Sequence, residues 1–168
     1  TINKSLTIDG AGKQYTGTMT GEKGLTVTVQ NVNFVNGGFA KTTKGATGNY
    51  TFKDCTFDGA KTYAYPLSFR GANTINVENC TVKDYAYSFL YVPNGTNAVS
   101  VKNVTVENCP NYAVYFASGV NSATFEKLTV KKSNIGFLIN NTADRAFTIK
   151  DCTMKNVDTA IEHANGTN

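Results

Sequence analysis

The six residues "FKDCTF" (52–57) recur in outline along the chain, as "VQNVNF" (29–34), "VENCTV" (77–82), "VKNVTV" (101–106), "FEKLTV" (125–130) and "IKDCTM" (149–154). The third position of each copy is Asn31, Asp54, Asn79, Asn103, Lys127 and Asp151, at intervals of 23, 25, 24, 24 and 24 residues. A fixed period of this length marks a solenoid, in which each repeat stacks on its neighbours. Within a copy the apolar residues alternate with period two and are rich in Val, Phe and Thr, so the stacked elements are strands.

One copy shows how the chain must turn. In "VSVKNVTV" (99–106), Val99 and Val101 share one face, Ser100 and Lys102 the other, and Val104 and Val106 return to the first face after Asn103. Two inward pairs on either side of one residue require a bend there. Asn and Asp enter the left-handed backbone region more readily than other non-glycine residues. A second corner is expected five residues later, at Asn36, Gly59, Asp84, Asn108 and Asn156. Lys127 and Lys132 interrupt both series in the same coil, where an altered turn is expected. Beyond the second corner lies a third strand: "GFAK" (38–41), "PLSF" (66–69), "SFLY" (88–91), "AVYF" (113–116), "GFLI" (136–139) and "AIEH" (160–163).

Stacking turns repeated positions into columns. Val32, Cys55, Cys80, Val104, Leu128 and Cys152 form an inward column, as do Phe34, Phe57, Val82, Val106, Val130 and Met154. Outward, Lys53, Glu78, Lys102, Glu126 and Lys150 alternate in sign, so neighbours attract across a parallel ladder. Each exposed pair contributes only about 0–1 kcal/mol, but like charges there would oppose the register. The expected architecture is all-β: a single-stranded right-handed parallel β-helix of about seven coils, spanning residues 1–168 as one domain and forming a segment of a longer protein.

Composition limits the functional classes. The 168 residues carry 16 basic and 12 acidic side chains, a formal charge of +4. With no Lys/Arg run, this gives no case for nucleic acid. No apolar run approaches the roughly 18–20 residues of a membrane-spanning helix, so membrane insertion is not expected. A secretion signal, if the protein has one, is expected outside these residues. One histidine and no CxxC motif argue against zinc. Cys55 and Cys80 read as small apolar fillers of their column, not a disulfide.

The opening "LTIDGAG" (6–12), with the recurring "ENCTV", "KNVTV" and "KDCTM", resembles the right-handed parallel β-helix proteins of the pectate-lyase-like superfamily, and the likeness covers nearly the whole chain. It implies a fold more than an activity, because that architecture hosts lyases, hydrolases, adhesins and spacers. The enzymes of the superfamily hold acids on an outer face, with Ca²⁺ in the lyase branch or clustered Asp in the polygalacturonase branch. Here the residues expected to face outward on the third strands are Ala40, Ser68, Leu90, Tyr115, Leu138 and Glu162, with a single acid among them. Asp58 and Asp84 lie near each other at the second corner, either as surface acids or as holders of a cation. "NTAD" (141–144) differs from the polygalacturonase Asn-Thr-Asp by an inserted Ala. No catalytic residue, metal or cofactor is therefore expected. Ca²⁺ belongs only to the competing reading, a lyase or hydrolase acting on polyuronide-type glycans.

Tyrosines are the more distinctive surface. Tyr65, Tyr87 and Tyr112 occupy one register at the start of the third strands, Tyr63 and Tyr85 another two residues earlier, and Tyr115 projects from the strand itself. Stacked at coil spacing they would form an amphipathic strip suited to sugar rings or a partner protein. The plainer alternative is that tyrosines favour strands. The resemblance and a surface rich in Asn, Thr, Gly and Tyr point to a bacterial cell-surface or secreted protein. It is read as a non-catalytic module for adhesion, binding of a glycan or host protein, or spacing. Uncapped end coils would expose strand edges and invite end-to-end self-association.

Overall fold

The computed structural model describes residues 1–140 and 145–163; the "NTAD" segment lies outside the described residues. Seven rungs of strand follow one another. The first two are single bent strands, β1 (Leu6–Gly21) and β2 (Thr26–Lys41). The third comprises β3 (Asn49–Lys53), β4 (Thr56–Asp58) and β5 (Leu67–Phe69). The fourth comprises β6 (Thr74–Glu78), β7 (Thr81–Lys83) and β8 (Ser88–Val92). Then come β9 (Thr96–Glu107) with β10 (Tyr112–Phe116), β11 (Val120–Ile139), and β12 (Ala146–Lys150) with β13 (Thr153–His163). Every strand pairing is parallel, and the chain makes about six turns of about 24 residues, close to the seven coils expected.

The register matches the repeat on the first two faces. Val77 pairs with Val101 and Val101 with Phe125, while Val82 pairs with Val106 and Val106 with Val130. These residues lie at or below 1% exposure, so each column is continuous core. Phe34 and Phe57 stack with ring centroids 4.9 Å apart and planes 2° from parallel, the geometry that parallel in-register strands impose on identical side chains. The alternating charges also meet as expected, with Glu78 beside Lys102 and Lys102 Nζ 3.8 Å from Glu126. All four cysteines are free. Cys55 and Cys80 are buried in their column, their thiols turned toward backbone carbonyls of Lys53 at 3.3 Å and Glu78 at 3.2 Å.

The corners are where local chemistry decides. Asn31, Asp54, Asn79, Asn103 and Asp151 all take φ of 52–53°. Their side chains form a ladder: Asn103 Nδ2 donates to Asn79 Oδ1 at 2.9 Å, and Asn79 Nδ2 to Asp54 Oδ1 at 3.1 Å. Exposed at the entry to each coil's first strand, Asn73, Asn97 and Asn121 make a further ladder, each donating to the Asn one rung back at 2.8–3.1 Å. Asn49, 73, 97 and 121 recur with the coil period in the sequence, a signal overlooked there.

Two expectations about corners need correction. Lys127 and Lys132 do not alter their turn, since their φ values of 54° and 59° match the other coils. Hydrogen bonding to the rungs above and below holds the backbone in place against a left-handed cost of about 1–2 kcal/mol for a non-glycine residue. Conversely, Gly59 does not supply the second corner of its coil. Ala60 and Lys61 take the positive φ, and Gly59 is there because a Cβ would lie 2.6 Å from the carbonyl oxygen of Asp84.

On the last rung the inward register continues at Ile149 and Ile161, which are 37% and 52% exposed. His163 pairs with Ile139 in an inward column and is itself exposed.

Lys127 bears the left-handed cost without an amide to extend the ladder from Asn103. Lys127→Asn is expected to raise unfolding stability by about 1 kcal/mol, from relief of strain and one added hydrogen bond. Urea denaturation checks this; an unchanged or lower midpoint would show that the corner ladder contributes nothing.

Candidate functional site: a ring of tyrosines

The third strands are reached from the second corner by connections of unequal length: 36–38 before Phe39, 59–66 before Leu67 and 84–89 before Leu90, three residues that pair in successive rungs. The period therefore fixes the third face less firmly than the others, and one residue of slip exchanges inside for outside. Such a slip separates expectation from structure at Leu90. Leu90 is fully buried, paired with Leu67 and Val114. Tyr91 points outward in its place, paired with Ser68 and Tyr115. The outward row is Ala40, Ser68, Tyr91, Tyr115, Leu138 and Glu162. Tyr91 lies 24 residues before Tyr115, so the period itself would have found it.

Five tyrosines close into a ring of contacts on this face. Tyr65 meets Tyr87 at 5.4 Å and Tyr87 meets Tyr112 at 5.6 Å, both edge to face at 67°. Tyr112 meets Tyr115 at 5.2 Å, Tyr115 meets Tyr91 at 5.3 Å, and Tyr91 returns to Tyr65 at 4.6 Å, stacked within 16°. All five are half-buried. Each aromatic pair contributes roughly 0.5–1.5 kcal/mol beyond its burial, which restrains the rings before any ligand arrives.

Tyr85 and Tyr63 are not members. The expectation that they stand in this strip is corrected by their surroundings. Tyr85 is 1% exposed, and its hydroxyl donates to the carbonyl oxygen of Gly37 at 2.6 Å, two rungs away. The missing side chain of Gly59 makes room for its ring, for a Cβ there would lie 2.7 Å from Tyr85 Cγ. Tyr63 packs partly against the core and shares a hydrogen bond with the hydroxyl of Thr18.

The surroundings push three of the ring's phenols, Tyr65, Tyr91 and Tyr112, upward. Burial, then the neighbouring Tyr91, Tyr87, Tyr115 and Tyr112, push Tyr65 up to about 12 from its ordinary 10.0. Tyr91 is raised by burial, Tyr115 and Tyr87, with Arg70 pulling the other way. Tyr112 is raised by burial and Tyr87, with Glu162 adding a smaller push. Chemically the surface offers flat carbon faces with hydroxyls that donate and accept hydrogen bonds.

The acids weighed as cation holders are engaged otherwise. Asp58 Oδ2 lies 2.9 Å from Lys83 Nζ, and the bond from Lys83 with that of the Ala60 amide draws its carboxyl below the usual range. Asp84 Oδ1 accepts from Asn108 Nδ2 at 2.9 Å.

The raised phenol of Tyr65 fixes a sign. Folding favours its neutral form, so this stabilisation is complete below pH 10 and is lost as pH rises toward about 12. Spectrophotometric titration of Tyr65→Phe beside the parent chain should remove absorbance change only from the late, high-pH part of the curve. Removal from the ordinary step near 10 would contradict the packed ring.

Searches among curated proteins and among solved structures gave no match. The coils themselves are matched by one family, described as "Right handed beta helix region", over residues 7–130. That match covers most of the chain, and with the parallel stack of rungs it identifies the protein as a member of the right-handed β-helix family.

Proposed function

We propose that this chain is a non-catalytic binding module of an extracellular bacterial protein, taking a glycan on the ring of Tyr65, Tyr87, Tyr91, Tyr112 and Tyr115. The observation that carries the proposal is the closed set of ring contacts, from 4.6 to 5.6 Å, on a face otherwise built of short side chains in its first rungs. Tyrosines packed ring against ring present rigid area with little rotamer freedom left to lose, and their hydroxyls reach a ligand's polar edge. Sugar rings, apolar on their faces and hydroxylated at their rims, match that surface. The extracellular bacterial setting rests on the resemblance to the pectate-lyase-like superfamily and on the polar, Asn- and Thr-rich surface.

The non-catalytic part of the proposal draws on Asp58 and Asp84 being held by Lys83 and Asn108 on the neighbouring rung. Calcium-dependent cleavage of a polyuronide that disappears in Asp84→Ala would overturn it in favour of a lyase.

A glycan array probed with the parent chain and with the triple change Tyr65→Ala, Tyr87→Ala, Tyr112→Ala tests the binding surface. Three half-buried aromatics removed from one platform are expected to weaken a bound glycan by at least about tenfold, on the scale of 1.4 kcal/mol per decade. Retention of full binding by the triple variant, with its fold verified by circular dichroism, would rule out the tyrosine ring as the site.

A further inference from the structure

The corner that leads into the tyrosine ring holds a second feature. Lys61, Tyr85, Ala86, Asn108, Pro110 and Lys132 line a depression of ≈ 610 Å³. That is within the roughly 300–1,000 Å³ of small-ligand sites. It owes its form to the long connection 59–66 of the third rung, which carries Lys61 at one wall and ends beside Tyr65. The fourth rung forms the lining at Tyr85 and Ala86. Two of the lining residues run directly into the ring, Ala86 preceding Tyr87 and Pro110 lying two positions before Tyr112.

Among the described residues, two cations and no acid line this space. Both stand at left-handed positions, with φ of 61° at Lys61 and 59° at Lys132. Asn36, Asp84, Asn108 and Asn156 hold the equivalent corner elsewhere, at lower conformational cost. Strain alone does not decide the matter, because Lys127 is equally left-handed and does not line the depression. The decisive feature is that two lysines from rungs three apart line one depression, whose lining residues Ala86 and Pro110 lead in sequence into the aromatic platform. Lys132 has one acidic neighbour, Glu107, whose Oε1 is 3.6 Å from Nζ while the side chains remain 58% and 38% exposed. At that exposure the pair contributes about 0–1 kcal/mol, and an incoming anion can compete with it.

We infer that this depression is a subsite for an anionic substituent, a carboxylate or a sulfate ester, of the chain that lies on the tyrosine ring. The inference rests on the glycan-binding proposal and adds a charge requirement to it. Lys61 and Lys132 supply charge-assisted hydrogen bonds from two sides, while the tyrosines hold the neighbouring sugar faces.

Affinity electrophoresis in gels containing dextran, carboxymethyl dextran or dextran sulfate separates the contributions, because the three polymers share a backbone. The parent chain should be retarded by one or both charged polymers more than by dextran. Which of the two acts more strongly identifies the anion. The double change Lys61→Gln, Lys132→Gln should weaken that retardation by about tenfold. Lys53→Gln, Lys150→Gln, an equal loss of charge on the first face, should leave it in place. Equal losses in the two double variants would mean non-specific attraction and would overturn the subsite. Retardation by none of the polymers, or equally by all three, would overturn it too. The tyrosine ring answers separately, to the glycan array.

Discussion

Everything in this molecule depends on residues about 24 positions apart lying over one another in parallel register. That constraint stacks like on like, for good and ill. It places Phe34 on Phe57 and lets asparagine amides bond from rung to rung. It also favours charges that alternate, as along Lys53, Glu78, Lys102 and Glu126, though weakly enough that Lys131 stands opposite Lys155. The left-handed corners are the conformational cost of closing each coil in so few residues. The ladders at Asn79 and Asn103 offset part of it, and where Lys127 and Lys132 offer no amide the neighbouring rungs still impose the same bend.

Much of this could be read before any coordinates, and the reason is physical. On the first two faces the corner lies at a constant distance from the strands on either side, so the period carries the phase of every side chain. The pairing of Val77 with Val101 follows directly from "VENCTV" and "VKNVTV". The third face comes after connections that vary in length, and there the period no longer determines which residue points out. The outward expectation at Leu90 follows the uneven connections, although the step of 24 residues from Tyr91 to Tyr115 carries the right phase across that one coil. Tyr85 shows a different limit. Whether a tyrosine just past a corner turns in or out depends on space left by another rung, here by Gly59, and on a carbonyl two rungs away at Gly37. No local pattern encodes such a vacancy.

The division between regular and variable segments also organises the proposed function. The first two faces, with their fixed corners, act as a ruler that sets the spacing of whatever the third face carries. The variable connections then decide what is mounted on it. The long segment 59–66 carries both Lys61 and Tyr65, and its neighbours 84–89 and 108–113 deliver Tyr87 and Tyr112 into the ring with Tyr65. A rigid stack with adaptable joints is a general route to placing binding groups without disturbing a core.

The stacking register is the claim on which the rest stands, and backbone nuclear Overhauser effects test it most directly. The account predicts an unbroken ladder of contacts through Phe52, Val77, Val101 and Phe125, each residue seeing its counterpart one coil away in the pattern of parallel strands. Contacts typical of antiparallel hairpins between strands consecutive in the chain, such as 74–78 with 81–83, would contradict it.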